Sequence, residues 1–398
     1  MTSRTESVSS TEMYGFRHAS NLWQDDWQSV LKEGGYDIGK ANPALFLNRR
    51  RRARGAVHGD DFYVLGNKAA IDAMAELLKS KYEVRESHRL GFGDHCSHQA
   101  VVLNRIVTLG LENGRKVVQI EPDARHCELI IRALGLNRNS KTISKPGVKV
   151  NDNEYEKRKL EPKLVGNEVK LYRSAVMRAS FLAQDRADLG EAVKSLAQGM
   201  ANPTRAHMSD LKMLGRYLVG KPHVGLVYKQ QKMPKELKIT VDSDHATDKT
   251  TRKSTTGMVQ QLGLHTVKQS SNLQTPIGLN VSEAEYYALV HGAAHGLGLQ
   301  SFMRDIGIDL KLVIESDSTS AKSFANRRGL GKQRHVETRY LWLQDRIAFK
   351  HLEVRKVGTW SNVSDILTKS TDGPTLQRHM ATMGFKDLKI SGMQKAAD

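Results

Sequence analysis

Cysteine is nearly missing from this chain: 398 residues contain two, Cys96 and Cys127. That excludes a disulfide-stapled secreted scaffold and points to a reducing compartment inside the cell, cytoplasmic or nuclear. The histidines near one of them, His88, His95 and His98, invite a zinc reading, but no second half-site with the spacing of a zinc motif accompanies them. Long apolar runs are also lacking. None approaches the roughly 20 residues that span a bilayer, and neither a secretory signal, a basic amphipathic helix nor a lipidation motif stands out, so no membrane partner is expected. Acids are in deficit too: Lys and Arg number 61 against 43 Asp and Glu, a formal charge of +18. A surplus of that size favours a polyanionic partner, and nucleic acid is the expected one.

What is present is enough hydrophobic residue, 39%, for packed cores, in a length that suggests two or three domains. Within the scarce acids, Asp242, Glu285, Asp317 and Asp365 sit where regular elements begin or end. Asp242 closes a strand-like run from Leu237 in which Leu237, Ile239 and Val241 alternate with polar residues. Glu285 lies in the first turn of a helix predicted from Ser282 to about Arg304, and Asp317 ends a second strand from Leu312. Asp365 opens a helix directly after a third strand, Leu352 to Val357. If those strands are neighbours in one sheet, the carboxylates converge at its edge. Converging carboxylates repel one another and lose hydration, so they need a cation. Oxygen ligands suit Mg2+, with Mn2+ as a substitute, and two such ions roughly 3.5–4 Å apart activate a water and stabilise a leaving phosphate-ester oxygen.

The local words are Asp242-Ser-Asp-His-Ala246, Arg252-Lys-Ser-Thr-Thr-Gly257, Glu283-Ala-Glu-Tyr286, Asp317-Ser-Thr-Ser-Ala321, Arg334-His-Val-Glu337 and Ser364-Asp-Ile-Leu-Thr-Lys369. In this order they resemble the ribonuclease H domain of copia-type retrotransposon Pol polyproteins. The resemblance implies a five-stranded mixed sheet flanked by helices, cleaving the RNA strand of RNA–DNA hybrids. Asp242, Glu285, Asp317 and Asp365 would be its catalytic, Mg2+-holding residues. It also implies RNA, DNA and hybrid as partners, together with other Pol- or Gag-derived chains. His245 and Lys268 stand where the family usually has Trp. Two other readings therefore stay open, a degenerate inactive copy and a basic nucleic-acid-binding protein.

Each acid has a plainer reading. Ser282-Glu-Ala-Glu285 also spells a capping box, in which Glu285 returns a hydrogen bond to the helix start. Glu283 is the rival ligand, but two helical residues are about 200° apart, so both cannot face one site. With Glu285 as ligand, Glu283→Gln is expected to be nearly silent. Asp365 could be a first-turn acid favoured by the helix dipole, and Asp244 and Asp248 plain turn residues. His335 could shuttle a proton with Arg334 holding phosphate, or the pair could be a surface turn.

Upstream, Tyr14-Gly-Phe-Arg17, Trp23 and Asn42-Pro-Ala-Leu-Phe46 lead to His58-Gly-Asp-Asp-Phe62, and together they resemble the polymerase hairpin of the same Pol family. By that resemblance Asp60 and Asp61 would be part of a polymerase metal site, incomplete because a partner Asp from an earlier strand is wanting. The strand expected before the pair is largely replaced by the basic tract Asn48-Arg-Arg-Arg-Arg-Ala-Arg54. The chain thus reads as mixed α/β, with a disordered segment at 1–12 and a truncated reverse-transcriptase palm and thumb at 13–135. A linker at 136–166, a helical connection at 167–235, the ribonuclease H-like domain at 236–370 and a tail at 371–398 complete it. DNA synthesis by this chain alone is not expected.

Overall fold

The computed structural model describes residues 18–388. The segment expected to be disordered, 1–12, the Tyr14-Gly-Phe-Arg17 word and the last ten residues of the tail lie outside them. The chain forms two compact units, one of residues 1–87 with 298–309, the other of residues 88–297 with 310–398. The sequence boundaries near 136, 167 and 236 all fall inside the second.

The first unit holds α1 (Ala19–Glu33), β1 (Asp37–Ile38), β2 (Leu45–Asn48), β3 (Ala53–His58), β4 (Asp61–Leu65) and α2 (Lys68–Lys79). Its strands form an antiparallel meander in chain order. Trp27, Leu31, Phe46, Val57, Met74 and Leu78 make the core between helices and sheet. Asn67 begins α2 by accepting a hydrogen bond from Ala70 N, the N-cap role that favours Asn. One expectation fails here. The basic tract does not replace a strand: Arg49–Arg52 form the turn between β2 and β3, with Arg52 left-handed at φ 54°, and β3 follows from Ala53.

The second unit contains two five-stranded sheets. Strands β5 (Gln99–Val102), β6 (Arg105–Glu112) and β7 (Arg115–Pro122) are followed by α3 (Ala124–Ala133), α4 (Asp152–Lys159), α5 (Asn167–Ala183), α6 (Gly190–Gln198) and α7 (Arg205–Gly220). The stretch read as a linker therefore carries a helix, α4, started by Asn151 and pinned by Arg158, which bridges Glu154 and Asp210. Strand β8 (Val224–Lys229) then joins β7.

Next come β9 (Glu236–Asp244), β10 (Thr255–Leu262), β11 (His265–Leu273), α8 (Val281–Asp305), β12 (Lys311–Ser316), α9 (Thr319–Ala325), α10 (Trp342–Ala348) and β13 (Glu353–Lys356). The tail contributes α11 (Gly373–Thr382) and β14 (Phe385–Asp387), the latter pairing with β8. The sheet that positions the acids runs β11-β10-β9-β12-β13. Its first three strands are antiparallel neighbours, and β12 lies parallel to both β9 and β13. This is the mixed five-stranded arrangement that the resemblance implies. Leu237, Ile239 and Val241 on one face of β9 and Thr240 on the other are buried, as are Leu312, Val313 and Ile314 of β12, as central strands of a covered sheet must be.

Two glycines bring α8 onto that sheet. A Cβ on Gly292 would stand 2.6 Å from Val241 Cγ1, and one on Gly296 would stand 2.7 Å from Leu312 Cδ1. The backbone of α8 therefore lies closer to the strands than any side-chain-bearing residue would permit. On the opposite side a single core joins Cys127 and Ile130 of α3, Leu182 of α5, Leu214 and Leu218 of α7 and Val259 of β10 to Val363, Ile366 and Leu367. The segment carrying Asp365 is thus anchored by the helical module as well as by the sheet.

Candidate metal centre

Asp242 lies near the end of the central strand, Glu285 in the second turn of α8, and Asp317 immediately after β12. A ligand oxygen from each falls within 4.8 Å of the other two. Among the described residues this is the one group of three or more His, Cys, Asp or Glu side chains so gathered. Asp365 is not in it. It sits in a 3-10 turn, Val363–Leu367, rather than in the α-helix expected, and reaches the triad through Lys369. The Lys369 ammonium is 3.4 Å from Asp365 Oδ1 and 3.3 Å from Asp242 Oδ2.

The surroundings of the acids are built rather than incidental. Glu285 Oε1 accepts from Ser243 N at 3.3 Å, while Oε2 is buried with no hydrogen-bond partner. Asp242, 1% exposed, accepts from Thr368 Oγ1. Asn362, fully buried, donates from Nδ2 to Val241 O at 3.2 Å and to Asp317 Oδ1 at 3.5 Å, and its Oδ1 accepts from Ser364 N. Gln274 donates to Ser243 Oγ, Thr256 Oγ1 and Ala284 O, locking β9, β10 and α8 together behind the acids. Gly257 is paired with Asp242 across β9 and β10, and a Cβ there would meet Ser364 O at 2.6 Å. Its bareness lets the 364–368 backbone descend onto the sheet so that Thr368 and Lys369 reach Asp242. The sequence words contained Asn362's neighbours, Thr368, Lys369 and Gly257, but nothing assigned them; the spacing Asp365 to Lys369, one helical turn, was the available signal for the lysine.

The electrostatics of the acids suit a cation site. Burial pushes Asp242 up to about 7, opposed by Lys369 and reinforced by Asp365 and Asp317. Burial, then Asp242 and Asp317, push Glu285 up to about 8. Two carboxyls that cannot both ionise at neutral pH, one with an orphaned oxygen, fit a hard cation with oxygen ligands. The sign of the resulting linkage follows. A buried acid with a raised folded-state value binds more protons folded than unfolded between about pH 4 and its own titration, so stability falls as pH rises through that window. Thermal melts in chelator should show lower stability at pH 8.5 than at pH 6, by an amount that shrinks in Glu285→Gln. Identical pH profiles for the two proteins would mean that Glu285 is not the buried titrating group.

The first turn of α8 corrects the sequence reading of Glu283. Asn280 caps the helix through Glu283 N, and Glu283 Oε2 accepts from Leu279 N. The capping role considered for Glu285 therefore belongs to Glu283. Glu283 also accepts from Tyr287 Oη at 2.6 Å and from His335 Nε2 at 2.7 Å. Burial alone would raise its titration, but the bonds from His335, Tyr287 and Leu279 outweigh that and hold it low. Glu283→Gln is consequently expected to be disruptive, not silent. Asp248 is the turn residue expected, accepting from Thr250 N and Thr251 N. Asp244 closes β9 outside the triad.

Elsewhere, Asp60 lies in the tight turn between β3 and β4 and Asp61 begins β4, both exposed, with Gly59 at φ +62° and its carbonyl held by Trp23 Nε1. Neither they nor the set His88, His95, Cys96 and His98 form a three-ligand group among the described residues. Among the described residues no helix is long and apolar enough to cross a membrane.

No protein-family model matches the chain. It is 25% identical over 389 residues to the retrovirus-related Pol polyprotein from transposon RE1 of Arabidopsis thaliana, covering 94% of this chain and 24% of that protein. Against the corresponding polyprotein from transposon TNT 1-94 of Nicotiana tabacum it is 25% identical over 368 residues, covering 90% and 26%. The chain therefore spans about a quarter of the length of these relatives. Among solved structures, the N-terminal RNase H domain of a Mycobacterium tuberculosis protein, determined as a fusion with maltose-binding protein, is 14% identical. It covers 37% of this chain and 97% of that one at a TM-score of 0.24, too distant a likeness to establish the fold by itself.

Proposed function

We propose, for a chain that is a homologue of part of the retrovirus-related Pol polyproteins of copia-type transposons, that its second unit is a divalent-metal ribonuclease acting on RNA–DNA hybrids. The observation that supports this reading is the triad Asp242, Glu285 and Asp317 with its orphaned Glu285 Oε2. Asp242, Glu285 and Asp317 would hold Mg2+ or Mn2+, and Asp365 would complete a second position beside Asp242. Bound there, the cation supplies Lewis-acid stabilisation of charge developing on the phosphate and its leaving oxygen. The protein's own contribution is placement. Asn362 fixes Asp317 against β9, Thr368 orients the Asp242 carboxylate, and Gln274 ties α8 to the sheet that carries Ser243. The excess of Lys and Arg would hold the phosphates, while choice of hybrid over DNA duplex would rest on contacts to 2′-hydroxyls.

The test is cleavage of an end-labelled RNA–DNA hybrid by purified chain, with Mg2+ and with chelator. Metal-dependent cutting of the RNA strand alone is expected. Salt-sensitive hybrid binding without cutting would identify a nucleic-acid-binding protein instead. In the same assay Asp60→Asn should leave cleavage unchanged, because Asp60 lies on a separate unit. Primer extension should be undetectable, because no third carboxylate faces the Asp60–Asp61 turn among the described residues. Nucleotide incorporation would refute that last expectation.

A further inference from the structure

The acid cluster already contains a cation of its own. Lys369 Nζ stands between Asp242 Oδ2 and Asp365 Oδ1, at 3.3 and 3.4 Å. That is the space a second divalent ion would share between the same two carboxylates. A divalent ion there needs carboxylate oxygens at roughly 2.0–2.1 Å. An ammonium on the same two oxygens would then lie within about 4 Å of it, where like charges repel strongly even in a partly solvated site. The two cations exclude each other.

Lys369 has somewhere to go. Its side chain is 43% exposed, and with Thr368 and Ser370 it lines a cleft of about 970 Å³ that also admits Lys149, Lys194 and Lys249. Of the first ion's ligands Lys369 bridges Asp242 alone: Glu285 and Asp317 make no ion pair with it.

Resting on the metal-dependent reading above, we infer that Lys369 is an exchangeable internal cation. It closes the second ion position by bridging Asp242 and Asp365, and opens it by swinging into the cleft. The triad then binds one divalent ion tightly, and the second binds only as fast and as firmly as the ammonium yields. A polyanion entering the cleft would draw the lysine outward and so couple substrate arrival to loading of the second ion.

The experiment is calorimetric titration of the full chain with Mn2+, alone, for wild type, Lys369→Gln and Lys369→Arg. Wild type should bind one ion and then a second at least tenfold more weakly. Lys369→Gln should tighten the second ion by roughly tenfold, the order expected on removing one adjacent positive charge, and leave the first nearly unchanged. Lys369→Arg should keep the wild-type pattern. Unchanged or weakened second-ion binding in Lys369→Gln overturns the exchange while leaving the metal centre standing. Failure of every protein to bind Mn2+ overturns both.

Discussion

Glu285→Gln should abolish metal-dependent cleavage of an RNA–DNA hybrid while leaving the folded state intact. Glu285 is 6% exposed, its Oε2 has no partner, and it titrates near 8 because burial and then two neighbouring acids disfavour its charge. An amide of the same shape removes that penalty without removing a packed atom, so metal-free protein at pH 8 should be as stable as wild type or more so. It cannot, however, supply the negative charge that a divalent cation requires. Glu283→Gln, two residues away, should behave in the opposite order. It replaces an acceptor of bonds from Leu279 N, Tyr287 Oη and His335 Nε2, of which one oxygen can be kept, and should cost about 1–3 kcal/mol of stability. Cleavage rates and chemical denaturation measured on both variants separate the two. Equal activity losses with equal stability losses would place the ligand face of α8 elsewhere.

The second large effect concerns a buried ion pair remote from any chemistry. Arg186 and Asp188 are 1% and 3% exposed. Arg186 Nε and Nη2 donate to the Asp188 carboxylate at 2.9 and 2.6 Å, Nη1 donates to Lys221 O at 3.0 Å, and Tyr217 Oη donates to Asp188 at 2.8 Å. The network fastens the turn after α5 to the end of α7, inside the core that also receives Val363, Ile366 and Leu367. Removing one partner leaves a full charge in low dielectric. Asp188→Leu should therefore cost about 3–5 kcal/mol, whereas the double change Arg186→Met with Asp188→Leu should recover a large part of it. Urea unfolding of the three variants measures this. A loss below about 1 kcal/mol for Asp188→Leu, or a double variant no better than the single, would show that the charges do not depend on each other.

Much of this protein is legible in its sequence because the signals are local. The alternation Leu237, Ile239, Val241 marks a strand buried on one face at least, and the observed β9 extends it by a residue or two at each end. The helices α2 and α7 follow from apolar residues at helical spacing, and α2 and α3 begin at the capping residues Asn67 and Asp123. The acids Asp242, Glu285 and Asp317 were identifiable because each lies where an element begins or ends, and strand ends on one edge of a sheet must be neighbours if the strands are.

Other features were not legible, for equally physical reasons. The stretch 136–166 is polar, and a helix as hydrophilic as α4 shows no apolar stripe; its stability comes from Asn151 and the Arg158 bridges. The tract Arg49–Arg52 looked incapable of strand structure, yet a turn needs no apolar face. Glu283 and Glu285 both stand near the start of α8, and only the point at which Asn280 caps it decides which one serves the helix.

What the sequence determined by itself is most of the elements, their order and the acids at their ends, since propensity, periodicity and capping act over one or two turns of chain. What only the tertiary structure decided is who meets whom across the sheet. Gly257 faces the 364–368 backbone, Asn362 reaches Asp317, and Lys369 rather than a fourth ligand oxygen lies against Asp242. Those pairings depend on how closely three layers of chain approach one another, and that distance is set by the packing of residues far apart in sequence.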